Sequence, residues 1–173
     1  MTNWEKRGYF MSKETDPLFQ SPVDTWVKAF NAGDVEAIVA LYTEDAELFD
    51  SGMHRPRRGT REIMHWFRVR FDSMPANAYT PYYDRVQVEA DRVVVPWVLH
   101  GRGPRLPGLS WFARPIRVEG VSTFMLRQGR IYRQQGIYDH LAVLKQLIPP
   151  FRWLPAFVPR FLYSLYLRRH GLY

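Results

Sequence analysis

Residues 31 to 60 read NAGDVEAIVALYTEDAELFDSGMHRPRRGT, and this stretch decides the fold. Its opening Asn-Ala-Gly-Asp ends one helix and caps the next, because glycine suits a helix C-terminus and aspartate an N-cap. Apolar spacing predicts a short helix over Val35 to Tyr42. Glu44-Asp45 then predicts a turn into a strand over Ala46 to Asp50, and Gly59-Thr60 predicts the start of a third helix.

The flanking sequence gives helices first and strands afterwards. Apolar residues at helical spacing predict a helix over Pro22 to Asn31, and the third helix is predicted to end near Ser73 to Pro75. Gly101 to Pro115 is rich in Gly and Pro, which predicts a long hairpin loop, and Pro96 predicts an edge or a bulge. Four strands and a closing helix are predicted over Tyr82 to Val88, Val93 to His100, Ile116 to Leu126, Arg130 to Tyr138 and Asp139 to Leu147.

The composition is that of one globular domain. The chain has 173 residues, of which 46% are hydrophobic and 16% aromatic, and this suits a single aromatic-rich core. It has no cysteine, which excludes disulfides and thiolate metal sites and fits a reducing compartment. The net charge is +7, and residues 149 to 173 hold four arginines and no acid. The remainder has no dense basic stripe, so we expect no nucleic-acid partner.

Two segments resemble known families. Residues 31 to 60 are similar to ketosteroid isomerases in their Ala-Gly-Asp turn, Ala-Ile-Val-x-x-Tyr helix, acidic turn and final Gly. Residues 129 to 147, GRIYRQQGIYDHLAVLKQL, are similar to SnoaL-like polyketide cyclases, whose last strand runs into an Asp-x-x-x-x-Leu-x-Gln-Leu helix. Both families belong to the nuclear transport factor 2 superfamily. The resemblance implies a cone-shaped α+β fold, in which a strongly curved antiparallel sheet holds the N-terminal helices in its concave side around a pocket for a small apolar molecule.

The resemblance also implies a site. In ketosteroid isomerases the aspartate that ends the first strand is the general base, and Asp50 matches that position. In the cyclases an aspartate at the end of the last strand is an acid/base, and Asp139 matches it. The isomerase's oxyanion donors, a tyrosine and a protonated aspartic acid, are replaced by Trp26 and Ser122, which offer one indole N–H and one hydroxyl. His54, four residues after Asp50, could orient or protonate a substrate.

Each of these side chains also has a structural interpretation. Asp50 in Asp-Ser-Gly suits a turn, Asp139 suits the N-cap of the closing helix, and His54 in His-Arg-Pro-Arg-Arg suits a solvated loop. The other histidines are isolated, so we expect no metal and no cofactor. The side chains predicted to line the pocket are Trp26, Phe30, Tyr42, Trp66, Phe67, Trp97, Ser122 and Tyr138.

Residues 149 to 173 lie beyond the usual end of these families and are predicted to form a tail. Phe161, Leu162, Leu165 and Tyr166 make an apolar stripe, which basic residues follow. Such a helix could fold back over the pocket, pack on a second subunit or lie on an anionic membrane, and it is too short to span a bilayer.

We therefore predict a loose N-terminal arm over residues 1–16, a cone domain over 17–148 and the tail over 149–173. The predicted function is that of an isomerase- or cyclase-type enzyme, in which a pocket carboxylate is the general base on a hydrophobic carbonyl substrate of steroid, polyketide or terpenoid type. The alternative is a non-catalytic binding or scaffolding domain whose tail contacts a membrane or a partner. A homodimer is expected, and a cytoplasmic location, because the N-terminus lacks the apolar stretch of a secretory signal.

Overall fold

The computed structural model describes residues 21–74, 76–103 and 114–173. The predicted N-terminal arm and most of the predicted loop over residues 101–115 lie outside these ranges. The described helices and strands follow the predicted order. They are α1 (Pro22–Ala32), α2 (Val35–Ala40), β1 (Tyr42–Asp50), β2 (Arg57–Arg58), α3 (Gly59–Ser73), β3 (Ala76–Pro81), β4 (Gln87–Glu89), β5 (Arg92–Gly103), β6 (Arg114–Arg127), β7 (Arg130–Tyr138), α4 (His140–Leu147) and α5 (Phe157–Arg169).

The strands form one open, seven-stranded sheet in the order β2-β1-β7-β6-β5-β3, with β4 also paired to β5. The sheet is mixed, because β1 runs parallel to β7 while the other pairs are antiparallel. Helix α3 packs against β1 and α1 against β3, while α4 packs against β6. The predicted α+β fold is therefore confirmed, with one parallel pair in place of a purely antiparallel sheet.

Local sequence signals explain the first two helices. Ser21 Oγ accepts the backbone N–H of Asp24 at 3.2 Å, and Asp34 Oδ1 accepts that of Ala37 at 2.8 Å. Gly33 ends α1 with φ +70°, a left-handed conformation that glycine adopts without strain. The buried side of α1 carries Trp26 and Phe30, whose rings stack 5.0 Å apart at the centre of an aromatic core.

Three strand predictions need correction. The predicted turn at Glu44-Asp45 is part of β1, where both residues are exposed and a register shift between residues 42 and 47 absorbs the irregularity. The predicted strand from Tyr82 to Val88 is mostly a 3-10 turn, of which only the end pairs as β4. The preceding strand β3 was missed because its pairing with β5 outweighs its weak local strand signal. Pro96 of β5 faces the gap between β3 and β4, where no partner needs its missing N–H.

A tight turn and a bulge set the direction of the side chains of β7. Gln128 and Gly129 take φ of 51° and 74°, as a two-residue hairpin between paired residues Arg127 and Arg130 requires. The β6–β7 register then shifts by one residue around Tyr132. The strict alternation of β7 side chains between the two faces of the sheet therefore breaks at Tyr132. The bulge turns Gln134, Gly136 and Tyr138 toward the helices.

The tail folds back over the domain as α5. The Tyr166 hydroxyl shares a 2.5 Å hydrogen bond with Ser73 Oγ of α3, and His65 Nε2 donates to the carbonyl of His170 at 2.8 Å. The buried Arg57 guanidinium donates to the carbonyl of Leu172. Leu167 of α5 is fully buried on the side of the helix that faces the domain. These contacts anchor α5 at several points along its length.

The face of α5 that packs differs from the predicted apolar stripe. Of that stripe only Tyr166 lies against the core, whereas Phe161, Leu162 and Leu165 are exposed. Apolar spacing could not show which of two apolar faces is buried, because this helix carries one on each side. Among the described residues, no helix has both the length and the hydropathy to span a membrane.

Candidate active site

Asp50 ends β1 beside Gly136 of the parallel strand β7. Its Oδ1 accepts the backbone N–H of Gly52 at 2.8 Å and the hydroxyl of Tyr138 at 2.6 Å. The first bond is the turn contact that Asp-Ser-Gly predicts, and the second fixes the rotamer of the carboxylate. Oδ2 accepts no hydrogen bond from the described residues. A Cβ at Gly136 would lie 3.6 Å from this Oδ2, so the glycine keeps the space beside it open.

The carboxylate lies in a cavity of about 40 Å³ enclosed by α1, α3 and the sheet, here called the inner cavity. At this size it holds only a few water molecules. Apart from Tyr42, the residues predicted to line the pocket are all on its wall: Trp26, Phe30, Trp66, Phe67, Trp97, Ser122 and Tyr138. Asp50 is thus the acidic member of a largely aromatic wall.

The two predicted oxyanion donors already have partners. The Trp26 indole N–H donates to the Tyr42 hydroxyl at 3.1 Å, and that hydroxyl donates to Gln134 Oε1. Tyr42 lies behind the cavity wall, where it completes this buried chain instead of lining the pocket. Ser122 Oγ accepts the Trp97 indole N–H at 2.9 Å, and its own O–H can donate to the neighbouring Tyr79 hydroxyl or into the cavity. Ser122 is therefore better placed than Trp26 to stabilise negative charge in the cavity.

A second, apolar cavity of about 230 Å³ lies between the tail and the domain. This outer cavity is bounded by α3, α4 and α5, and it meets the inner cavity at Trp66, Arg70 and Tyr138, which line both. Each cavity is smaller than the range of about 300 to 1,000 Å³ typical of small-molecule pockets, and only the two volumes together approach its lower end. Leu162, Tyr163 and Tyr166 of α5 form part of its wall, so the tail builds this pocket.

His140 adds a titratable group that sequence reasoning discarded. Both of its ring nitrogens are buried without a hydrogen-bond partner in the described part of the chain, and it lines the outer cavity. Its ring lies 4.3 Å from that of Tyr163 and 6.0 Å from that of Tyr138, measured between centroids. Burial lowers the pKa of His140, so the neutral imidazole is favoured, with one nitrogen that can accept a proton and one N–H that can donate a hydrogen bond.

The neighbouring tyrosines are held in their protonated form. Burial, followed by the negative charge of Asp50, raises the pKa of Tyr138 well above its ordinary value. The same two causes raise the pKa of Tyr163. Both hydroxyls therefore remain hydrogen-bond donors at neutral pH, and that of Tyr138 donates to Asp50.

Two of the three predicted catalytic residues lie away from both cavities. Asp139 is exposed, and its Oδ1 caps α4 by accepting the N–H of Ala142 at 2.9 Å, as its structural interpretation predicted. His54 is exposed and contacts the tail, with its Nε2 3.0 Å from Ser164 Oγ. Asp50 and His140 line different cavities, but they are close enough that the negative charge of Asp50 opposes the lowering of the His140 pKa by burial. Within the described ranges, no three His, Asp or Glu side chains are grouped closely enough to hold a metal ion.

Arg70 is the second functional candidate that was missed, although the sequence contains a signal for it. It lies seven residues after Ile63 and four after Trp66, on the apolar stripe of α3. A cation at a core-facing position is unusual and normally has a counter-charge nearby. Its guanidinium carbon lies 5.4 Å from the centroid of the Phe30 ring, and its Nε is buried without a partner in the described chain.

Comparison with known proteins places the chain in a family. The model of the SnoaL-like domain matches residues 23–134. A Catenulispora acidiphila protein with a ketosteroid isomerase-like fold, solved in complex with trimethylamine, is 20% identical, with a TM-score of 0.66 over 79% of this chain and 98% of its own. A Shewanella denitrificans protein assigned as a SnoaL-like polyketide cyclase is also 20% identical, with a TM-score of 0.63 over 76% and 97%.

A third structure, TerC co-crystallised with polyporic acid, is 17% identical, with a TM-score of 0.61 over 73% of this chain and 95% of its own. At these identities the structures establish the fold alone. No curated protein matches the sequence significantly. The family model covers more than half of the chain, including α1 to α3 and the strand that carries Asp50. The chain belongs to the SnoaL-like domain family.

Proposed function

We propose that the protein is a small-molecule enzyme of isomerase or cyclase type, in which Asp50 is the general base on a hydrophobic carbonyl substrate of steroid, polyketide or terpenoid type. The observation that carries the proposal is that the two oxygens of this carboxylate have different surroundings. Oδ1 is held by Gly52 and Tyr138, while Oδ2 is left without a partner among the described residues at an aromatic-walled cavity. A fixed carboxylate with one free oxygen suits removal of a proton from carbon next to a carbonyl.

The surrounding groups suit the rest of such a reaction. Proton abstraction creates an enolate, which needs a donor, and the same wall offers Ser122, Arg70 and the hydroxyl of Tyr79, which is unpartnered in the described part of the chain. The protonated Asp50 can return the proton to the substrate, and His140 can relay a proton by accepting one at one ring nitrogen while it releases one from the other, because its neutral ring has no partner among the described residues. Asp139 and His54, predicted as assisting residues, would act only if a substrate extended beyond the two cavities.

The test measures proton abstraction without requiring the natural substrate. Hydrogen–deuterium exchange at the α-carbon of a panel of bicyclic and steroidal ketones is followed by NMR in D2O. Asp50→Asn should slow the exchange by about 100-fold or more, the usual contribution of a general base. Asp45→Asn is the matched control, since Asp45 lies in the same strand but is exposed and paired with Arg127 at 2.5 Å. Undiminished exchange by Asp50→Asn, or no exchange of any ketone by the wild type, would reject catalysis by Asp50.

A second candidate function is supported by the outer face of α5. Trp153, Phe157 and Phe161 are 81%, 70% and 61% exposed, and the four arginines of the tail accompany them. An exposed apolar and basic surface suits a binding domain that rests on an anionic membrane. Flotation with phosphatidylglycerol-rich vesicles should carry the wild type but not a Phe157→Ser/Phe161→Ser variant, whose inner face of α5 is intact. Equal flotation of the two proteins would reject membrane contact through this face.

The predicted homodimer has its own candidate surface. Val121 and Ile137 are paired across β6 and β7, and they are 39% and 58% exposed. An exposed apolar pair in the middle of a sheet suits a subunit contact. Light scattering of Ile137→Lys should show a smaller species than the wild type, and an unchanged mass would reject this interface.

A further inference from the structure

Arg70 is a cation in the cavity wall without a carboxylate partner in the described part of the chain. Its Nε is buried and unpartnered, and the side chain lines both the inner and the outer cavity. A guanidinium nitrogen that is buried without an acceptor lowers stability, and a ligand that enters the cavity can supply that acceptor.

The surroundings of Arg70 prepare it for an anion. Its guanidinium lies over the Phe30 ring, 5.4 Å from the centroid, which covers one face of the planar group. The N–H edge of a guanidinium is the part that matches a carboxylate or enolate in a bidentate manner. His140 lines the outer cavity and has no hydrogen-bond partner in the described chain, so its ring N–H is a further donor to that space. The remaining wall is mostly aliphatic and aromatic, contributed by α4 and α5.

We propose that Arg70 is the anion-binding residue of this pocket and that the natural ligand is an amphipathic small molecule carrying one acidic oxygen group, a carboxylate or an ionised enol, on an apolar body. The acidic group binds Arg70 at the junction of the two cavities. The apolar body occupies the outer cavity, against Val143, Leu147 and Tyr166. This assignment rests on the proposed function only for the statement that the ligand is a substrate.

The position of Asp50 makes the inference specific. Asp50 lines the inner cavity with Arg70 but forms no ion pair with it, and its Oδ1 is already occupied by Gly52 and Tyr138. An anionic group held at Arg70 would therefore lie at the wall of the cavity that also holds the free Oδ2 of Asp50. One cation for binding and one carboxylate for chemistry thus divide the two tasks.

The test compares two probes of one shape. Calorimetric titration at about pH 7.5 uses 2-naphthoate, which is ionised there, and 2-naphthamide, its neutral counterpart. The wild type should bind naphthoate at least about tenfold more tightly than naphthamide, the size expected for a charge-assisted hydrogen bond. Arg70→Gln should abolish this preference while naphthamide binding changes little, and Arg70→Lys should keep part of it.

The matched control is Arg68→Gln, two residues away on α3, where Arg68 is exposed and pairs with Glu36 at 2.8 Å. It should keep the full preference for naphthoate. Equal affinity of the wild type for the two probes, or unchanged naphthoate binding by Arg70→Gln, would overturn the assignment. Because Asp50→Asn retains Arg70, it should bind naphthoate at least as tightly as the wild type. A failure of Asp50 as a base therefore leaves this binding result unaffected, and the two proposals can fail separately.

Discussion

Two leucines of α5 give a matched test of whether the tail is part of the folded domain. Leu167 is fully buried, whereas Leu165, two residues earlier on the same helix, is 45% exposed. Replacing each with alanine makes the same change in helix propensity. A buried Leu→Ala substitution costs about 2–5 kcal/mol, because a cavity is added to the lost burial, and a half-exposed one should cost below about 1 kcal/mol.

For a domain of this length, about 1 kcal/mol corresponds to roughly 2–4 °C in Tm. Leu167→Ala should therefore lower Tm by about 5–15 °C and Leu165→Ala by less than about 4 °C. Differential scanning calorimetry and urea unfolding measure both. Trypsin sensitivity of the arginines of α5 provides a second readout, because a locally undocked helix is cut before the domain unfolds. Equal, small shifts for both variants, with equal rates of cleavage, would refute the docking of α5 on the domain.

Three further predictions concern the core, the pH response and the chain end. Gly120→Ala should lower the free energy of unfolding by about 1–3 kcal/mol, because the added Cβ would lie 2.5 Å from the Trp97 ring. Urea unfolding measures the change, and an unchanged midpoint would contradict this packing. Burial lowers the pKa of His140, so as pH falls the unfolded state binds the extra proton before the folded state does. The stability of the wild type relative to His140→Gln should therefore fall as pH drops below about 6.5 and stay level above that pH. A stability difference that does not change in urea unfolding from pH 5 to 8 would contradict this. Arg57→Met should speed hydrogen exchange in α5, because it removes the bond to the Leu172 carbonyl; unchanged exchange would show that this bond does not anchor the chain end.

Helical elements were predicted well where the local signal and the tertiary contacts agree. The bounds of α3 follow from Gly59-Thr60 and from the apolar repeat of the helix, and both ends match the structure. Glu44 and Asp45 show the opposite case, because they lie inside β1, in the irregular stretch between the paired residues Tyr42 and Glu47, and do not end the strand. Asp45 is accommodated there because it is exposed and pairs with Arg127 at 2.5 Å. Local polarity alone therefore did not decide where β1 begins.

Some residues of the site could be predicted from the local sequence, whereas others depend on contacts between distant parts of the chain. Asp50 was found because its position in a family motif is encoded locally. His140 could not be found in this manner, since its environment depends on the tail folding back so that Tyr163 lies against its ring. Arg70 could have been found, because a cation on an apolar helical stripe is visible in the sequence. Its significance, however, depends on the absence of an ion pair, which only the fold reveals.

Two arginines, the buried Arg57 and the partly buried Arg70, show how structural and functional charges differ in this protein. Arg57 is 1% exposed, yet it has an assigned structural partner in the carbonyl of Leu172, and it lies 5.6 Å from the centroid of the Trp66 ring. Arg70 has a comparable aromatic contact with Phe30 but no acceptor in the described chain, and it faces both cavities. Both side chains have a buried Nε without a partner in the described chain, but Arg57 gains the Leu172 carbonyl at another nitrogen, whereas Arg70 has no such acceptor to offset the loss of stability. The proposed anion accounts for this difference, because the ligand supplies the acceptor that Leu172 supplies to Arg57.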